Sequence, residues 1–194
     1  MICTAAAAAT PSASFVIAPG GASYNATVEV VAADGFSFWD TGPLGERIPR
    51  TVTNVSLHGA CGNCSFDWTD PFTMNFTEGN YTILYSGPIM ENHLQGNFDT
   101  PYHVSVVLPP GLDVRDPFLG VRSQGSEIAV NDSNLTIDWN STQSFEVRFY
   151  TPERERILFV FGVLWAIGLV LVLVPFLLSR RGIAREKEGG RGLP

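Results

Sequence analysis

From Ile157 to Leu178 the chain reads ILFVFGVLWAIGLVLVLVPFLL, twenty-two residues without a charge. At about 1.5 Å per residue a helix of that length spans the roughly 30 Å hydrocarbon core of a bilayer. Buried helices of soluble proteins rarely run so far without a polar side chain. The stretch predicts one transmembrane helix over residues 157–178, and every other segment is then read on one side of it or the other. Pro175 falls near the far end, where a kink costs least.

The flanks give an orientation. After the span, SRRGIAREKEGGRGLP carries Arg180, Arg181, Arg185 and Lys187, whereas TPERERILF before it mixes Glu153 and Glu155 with Arg154 and Arg156. By the positive-inside rule the tail, residues 179–194, is expected in the cytoplasm and the segment before residue 157 outside the cell membrane. The tail is short, Gly-rich and charged, and reads as an unfolded stop-transfer anchor. Residues 151–156 read as a short linker, which keeps the preceding domain close to the membrane surface.

The formal net charge of −7 conceals an asymmetry that agrees with this topology. Residues 1–156 hold seven Arg, no Lys and seventeen Asp or Glu, a balance of −10, while residues 179–194 carry +3. An acidic, Lys-free outer part disfavours nucleic acid as a partner, and none is expected, because phosphate binding needs a basic face. Residues 1–12, MICTAAAAATPS, read as the remnant of a signal peptide or a disordered N-terminus. The alanine run followed by Thr10-Pro11 resembles a cleavage end, but the basic and apolar regions before it are missing, so a start further upstream is expected. Cys3 then belongs to the signal remnant.

Ten Asn occur in the chain, and eight of them open an Asn-x-Ser/Thr glycan acceptor: Asn25, Asn54, Asn63, Asn75, Asn80, Asn131, Asn134 and Asn140. With Ser and Thr at 28 of 194 positions, chance gives between one and two. Turn Asn next to strand Thr, as in NATVEV and NYTILY, raises that expectation but not five-fold. All eight lie on the side that the charge rule places outside. Two independent signals therefore point to a glycosylated surface protein.

Between residues 13 and 150, short runs of Val, Ile, Tyr, Phe and Thr alternate with Gly, Pro, Asn and Asp, and no apolar 3.6 period lasts three turns. Ten strands are expected, at 14–18, 27–32, 35–39, 50–57, 65–69, 81–86, 102–108, 127–130, 135–139 and 144–150. Alternation is cleanest in HVSVVL and SFEVRFY. The predicted fold is mostly β, an immunoglobulin-like two-sheet sandwich followed by one C-terminal transmembrane helix.

The segment LPPGLDVRDPFLGVRSQGSEIAVNDSNLTIDWNSTQSFEVRFYTPERE carries a strand, a Pro-Pro-Gly turn, an Asp-Pro-Phe-Leu-Gly loop, a Trp-bearing strand and a final EVRFY strand entering the apolar helix. Over residues 80–180 this resembles an archaeal family of uncharacterised, exported single-span membrane proteins. The resemblance implies an archaeal surface location and this architecture, and it brings no activity with it.

Catalytic patterns are thin. His58, His93 and His103 are scattered, and there is no Gly-x-Ser-x-Gly, no phosphate loop and no His-Glu-x-x-His. NDSNLTIDWN lacks the spacing and glycine of a calcium loop and reads as a solvated turn. No enzyme activity and no cofactor are expected. The densest chemistry is HGACGNCSFDW, with Cys61, Cys64 and His58. Outside the cytoplasm a Cys61–Cys64 disulfide on a turn is favoured. A thiol-redox pair is an alternative, without the helix that normally lowers a thiol pKa; a metal site of His58, Cys61 and Cys64 is another, one ligand short. A closed Cys61–Cys64 ring makes Asn63 the poorest acceptor of the eight. The function expected is a binding or structural module of the cell envelope, in contact with the lipid bilayer through residues 157–178 and with other envelope proteins as prospective partners.

Overall fold

In a computed structural model of the protein the described residues are 10–42, 44–131 and 133–189, with side chains as far as Phe176. They form a β unit ending at Thr151 and a helical unit starting at Pro152. The expected signal remnant falls largely outside the described residues. Its last three residues do not: Ser12 already belongs to a strand, and the Pro11 carbonyl accepts a hydrogen bond from the His103 N–H at 2.9 Å.

Twelve strands occur among the described residues: β1 (Ser12–Ile17), β2 (Ser23–Ser37), β3 (Trp39–Thr41), β4 (Arg47–Pro49), β5 (Thr53–Gly59), β6 (Gly62–Cys64), β7 (Asp67–Asp70), β8 (Thr73–Pro88), β9 (His93–Leu108), β10 (Val121–Arg122), β11 (Ser126–Asn131) and β12 (Asn134–Arg148). Ten of them form one sheet in the order β10-β12-β9-β1-β2-β8-β5-β6, with β11 alongside β12 and β7 alongside β8. β3 and β4 form a separate hairpin. Pairing is antiparallel except between β1 and β9, where Phe15 lies beside Val106. The alternating sequences produce a one-sided sheet. Tyr24, Ala26, Val28 and Val30 are buried between exposed Asn25, Thr27 and Glu29, as are Phe145 and Val147 on either side of Glu146.

A single sheet with one apolar face has to cover that face, and here it covers itself. Trp139 and Phe145 belong to one strand, and six extended residues would separate them by about 20 Å. Their rings are 5.6 Å apart, so β12 doubles over between them, where its register with β9 shifts twice. Phe98 and Tyr102 in β9 stack at 4.2 Å, and Phe76 and Tyr81 in β8 meet at 5.0 Å. β2 bends at its own register shifts between Val30 and Gly35, with Ala32 at φ 49°. The four long strands thus each serve two layers, turning a corner at bulges.

The expected two layers therefore exist as halves of one sheet, and the mostly β reading with a C-terminal helix stands. The strand predicted at 27–32 and residues 35–37 of the next are one strand, with Trp39 opening β3, and residues 135–139 and 144–148 are likewise one strand. Ala33 and Asp34, and Asn140 to Gln143, read as loops between them, are the corners. β8 and β9 likewise extend well before the predicted starts at Tyr81 and Tyr102.

Two glycines make room for this folding. Gly96 lies opposite Phe145 in the β9–β12 register, and a Cβ there would collide with the Phe145 ring. Gly87 is opposite Tyr24, and a Cβ would stand 2.5 Å from the tyrosine oxygen. Each aromatic ring lies across its partner strand's bare backbone. Phe145 also touches Phe15 at 4.8 Å and Phe98 at 6.4 Å, which joins β1, β9 and both halves of β12 in one cluster.

The helical unit is one element, α1 (Pro152–Gly189). Proline at the first helical position, with Glu153 and Glu155 in the first turn, is a strong start signal. An 18-residue window within Pro152–Phe176 reaches a mean hydropathy of 3.0, and the helix is long and apolar enough to cross a membrane. The predicted linker 151–156 is thus helical from Pro152. The predicted unfolded tail is helical to Gly189, as its run of Ala, Arg, Glu and Lys favours; residues 190–194 lie outside the described residues.

Two outcomes follow from this packing. Gly96→Ala should lower stability by about 1–3 kcal/mol through overpacking against Phe145, read from urea unfolding of the full chain in detergent by tryptophan fluorescence. Asp113 gives a pH dependence: the hydrogen bond from the Arg115 guanidinium, with those from the Arg115 and Val114 N–H groups, outweighs burial and holds its carboxyl below the ordinary value. A depressed carboxyl contributes stability above its unfolded pKa of about 3.9 and loses it as pH falls through the folded value. Asp113→Asn should therefore cost stability at pH 7, with the difference from wild type shrinking below pH 4.

Candidate functional site

The predicted acceptors sit on the outside of the folded sheet. Asn25, Asn54, Asn63, Asn75, Asn80, Asn131 and Asn140 are exposed and Asn134 is half-buried. Five of them share the β2-β8-β5-β6 half. Asn25 on β2 and Thr53 on β5 pair with Ser86 of β8 from opposite sides, which puts Asn25 and Thr53, the neighbour of Asn54, about 10 Å apart, two strand spacings. The Asn25 carbonyl oxygen accepts from Ser86 Oγ at 2.8 Å, leaving its nitrogen directed away from that bond. Asn54 adopts φ 55° at the β5 bulge. Asn80 Oδ1 accepts the Ala32 N–H at 2.8 Å and so braces the β2 corner. Asn75 differs, because its Nδ2 donates to Thr69 Oγ1 at 2.6 Å and would have to turn out to be modified. Asn131 and Asn134 face each other at the β11–β12 turn, and Asn140 marks the corner of β12.

Cys61 and Cys64 are bonded to each other, with Cα atoms 5.5 Å apart. They close the β5–β6 hairpin, where Gly59 pairs with Gly62, His58 with Asn63 and Leu57 with Cys64. Gly62 at φ 78° takes the left-handed position that the turn needs. His58 Nε2 lies 3.2 Å from Ser56 Oγ, on the same strand. In this state both sulfurs are spent on the bond, so His58 has no thiolate beside it, and the metal alternative of His58, Cys61 and Cys64 needs a reduced hairpin. Asn63 is inside the closed ring, yet exposed.

Among the clefts on the described part of the β unit, two adjoin paired charges. One, of about 460 Å³, lies where β2 and β9 bend and is lined by Asp34, Trp39, Phe98, Asp99 and Tyr102. The Arg47 guanidinium stands 4.2 Å from the centre of the Trp39 ring and 3.0 Å from Asp99. Burial pushes the Tyr102 phenol up to about 12, with the Asp99 carboxylate adding to the shift, so it stays protonated at neutral pH.

The other cleft, about 390 Å³, lies under the β3–β4 hairpin. Arg50, with 10% of its side chain exposed, binds Asp40 through Nε at 2.9 Å and through Nη2, which also donates to the Gln95 carbonyl at 2.6 Å. Its bonds tie the hairpin to β9. Burial raises the Tyr85 and Tyr24 phenols, with the Arg50 charge opposing. The sequence reading began a strand at Arg50 and missed this role. The available signal was scarcity: five Arg and no Lys precede residue 150, so each cation is a candidate for a specific anionic partner.

The topology residues Arg180, Arg181, Arg185 and Lys187 all fall within α1, their side chains outside the described residues.

Replacing both cysteines, Cys61→Ser with Cys64→Ser, should cost about 2 kcal/mol, the loop-entropy value for so short a ring. Thermal unfolding with and without reductant checks this, since wild type in reductant should fall to the level of the double variant. No curated protein matches the chain. Over residues 68–190, from β7 through the β12 corner and along α1, it matches the family of unknown function DUF5803, and the chain belongs to that family.

Proposed function

We propose that the protein is a single-pass, membrane-anchored glycoprotein of the cell envelope whose β unit lies outside the cytoplasm and acts as a binding or structural module, not as an enzyme. The observation that carries this is the placement of the acceptors. Seven of eight are exposed, whereas the two Asn outside acceptor triplets, Asn92 and Asn97, are both half-buried. Eight triplets where chance gives one or two, all on the N-terminal side of a helix fit to cross a membrane, form one pattern. The acidic, Lys-free β unit and the basic flank after the span agree in sign with an outside and an inside. A Cys61–Cys64 disulfide is chemistry suited to an oxidising compartment. The ion pairs Arg50–Asp40, Arg47–Asp99 and Arg115–Asp113 support the non-enzymatic reading, since each of these charges braces a hairpin or loop. An archaeal surface is the setting that the family resemblance implies.

Glycopeptide mass spectrometry of the protein purified from its native membranes tests the reading. Sugar is expected on several exposed acceptors, with Asn63 the least occupied because the ring closes around it. Protease added to intact cells should remove the β unit and leave α1 with its C-terminus. A protein with no modified Asn, or a β unit protected in intact cells, overturns the proposal.

A further inference from the structure

The cleft of about 460 Å³ follows from the position of β1 in the sheet. β1 lies between β2 and β9, and among the described residues its pairing with them starts only at Ser12 beside His103 and at Ala13 beside Val28. Past that end β2 runs on to Ser37 and β9 runs back to His93, and among the described residues no strand pairs between them. The cleft opens in this gap, with Pro11 among its lining residues. Its volume is within the roughly 300–1,000 Å³ of small-molecule sites.

The polar groups that line it are unspent. Tyr102 is only 6% exposed, and its hydroxyl has no hydrogen-bond partner among the described residues. Unlike Tyr24 Oη, which is sealed in the core, this hydroxyl keeps contact with solvent, and the cleft is the opening that Tyr102 lines. A phenol set so deep calls for a partner from that side. Asp34, Asn97 and Thr100 line the same cleft, and their side chains also make no hydrogen bond among the described residues. Asn97 lies outside the acceptor triplets, so its amide carries no sugar of its own. Trp39 adds an aromatic wall, and the Arg47 guanidinium, held by that ring and by Asp99, stands at the edge.

This mixture decides the class of ligand. An anion would face the carboxylates of Asp34 and Asp99. A cation would find Asp34 but would also meet Arg47, which already occupies Asp99 and the Trp39 ring. An apolar ligand would bury the phenol, the amide and the carboxylate without partners. A neutral polyol satisfies all of them, because each sugar hydroxyl both donates and accepts while the C–H face of the ring packs on an aromatic wall. We propose that this cleft binds a saccharide, with Asp34, Asn97, Thr100 and Tyr102 as its hydrogen-bonding groups and Trp39 as its apolar wall. The proposal rests on the reading of the β unit as a binding module and names the ligand class for it.

The test uses the full chain carrying 5-fluorotryptophan, in lipid nanodiscs because glycoside detergents would compete. Trp39→Phe identifies the Trp39 fluorine signal. The methyl glycosides of glucose, galactose, mannose and N-acetylglucosamine are titrated in turn, with glycerol and arginine methyl ester as the other probes. At least one glycoside should shift the Trp39 signal to saturation and leave that of Trp139, sealed in the core, unmoved. Asp34→Ala and Tyr102→Phe should each weaken that binding about fivefold, the loss of one hydrogen bond, at an unchanged unfolding midpoint. The absence of a saturable shift with every glycoside overturns the proposal. So does saturation by arginine methyl ester alone, which makes the cleft a cation site, and so does a shift that glycerol reproduces at the same concentration. Binding that neither variant weakens overturns it as well. Should Tyr102→Phe fail to fold, Asp34→Ala, at an exposed position, still decides. The glycopeptide and protease measurements read the membrane glycoprotein independently: if they succeed while every titration fails, only the saccharide is lost and the placement outside the cytoplasm stands.

Discussion

The β unit depends on one contact, the approach of Phe145 to Trp139 within a single strand. A ten-stranded sheet with one apolar face buries that face against itself. Doubling the long strands over brings Phe15, Phe98, Trp139 and Phe145 together, and tilted and stacked rings fill the space between the halves. The corners follow from this demand. The register shifts in β2 and β12, the left-handed Ala32 and the bare glycines opposite Tyr24 and Phe145 all let extended chain turn without losing its neighbours.

The same folding sorts the surface. Because alternate residues of each strand face outward, acceptor Asn on β2 and β8 are presented to solvent by the pleat that buries their neighbours. The charged residues that matter structurally are the few that do not follow this alternation. Arg50 reaches under the β3–β4 hairpin to Asp40 and Gln95, and the cost of removing its charge from water is offset by bonds to a carboxylate and a carbonyl. Arg47 and Asp99 join the same hairpin to the bend of β9 from the exposed side. Together these contacts give a two-stranded hairpin, marginal alone, a fixed place on the larger sheet.

Much of this was legible from local pattern. The alternation in HVSVVL and SFEVRFY placed the best strands, and the run ILFVFGVLWAIGLVLVLVPFLL marked the helix, because both signals are periodic and need no distant partner. The corners were not legible. Asn140, Ser141 and Thr142, or Ala33 and Asp34, have the composition of a loop, and nothing local distinguishes a break between strands from a bend within one. The start of α1 was missed by a few residues for a related reason. Pro152 with Glu153 is a helix start, but the search for an uncharged stretch began only at Ile157.

What the sequence by itself determined is the division of the chain and the chemistry of each part: an apolar helix, an acidic β unit rich in glycan acceptors, and a basic end. Length, charge and triplet counts are additive along the chain and require no geometry. Only the tertiary structure decided that two layers are one sheet and that Arg50 is a buried latch. Those facts come from contacts between residues tens of positions apart. Such contacts are set by how a one-sided sheet closes on itself, which no window of the sequence contains.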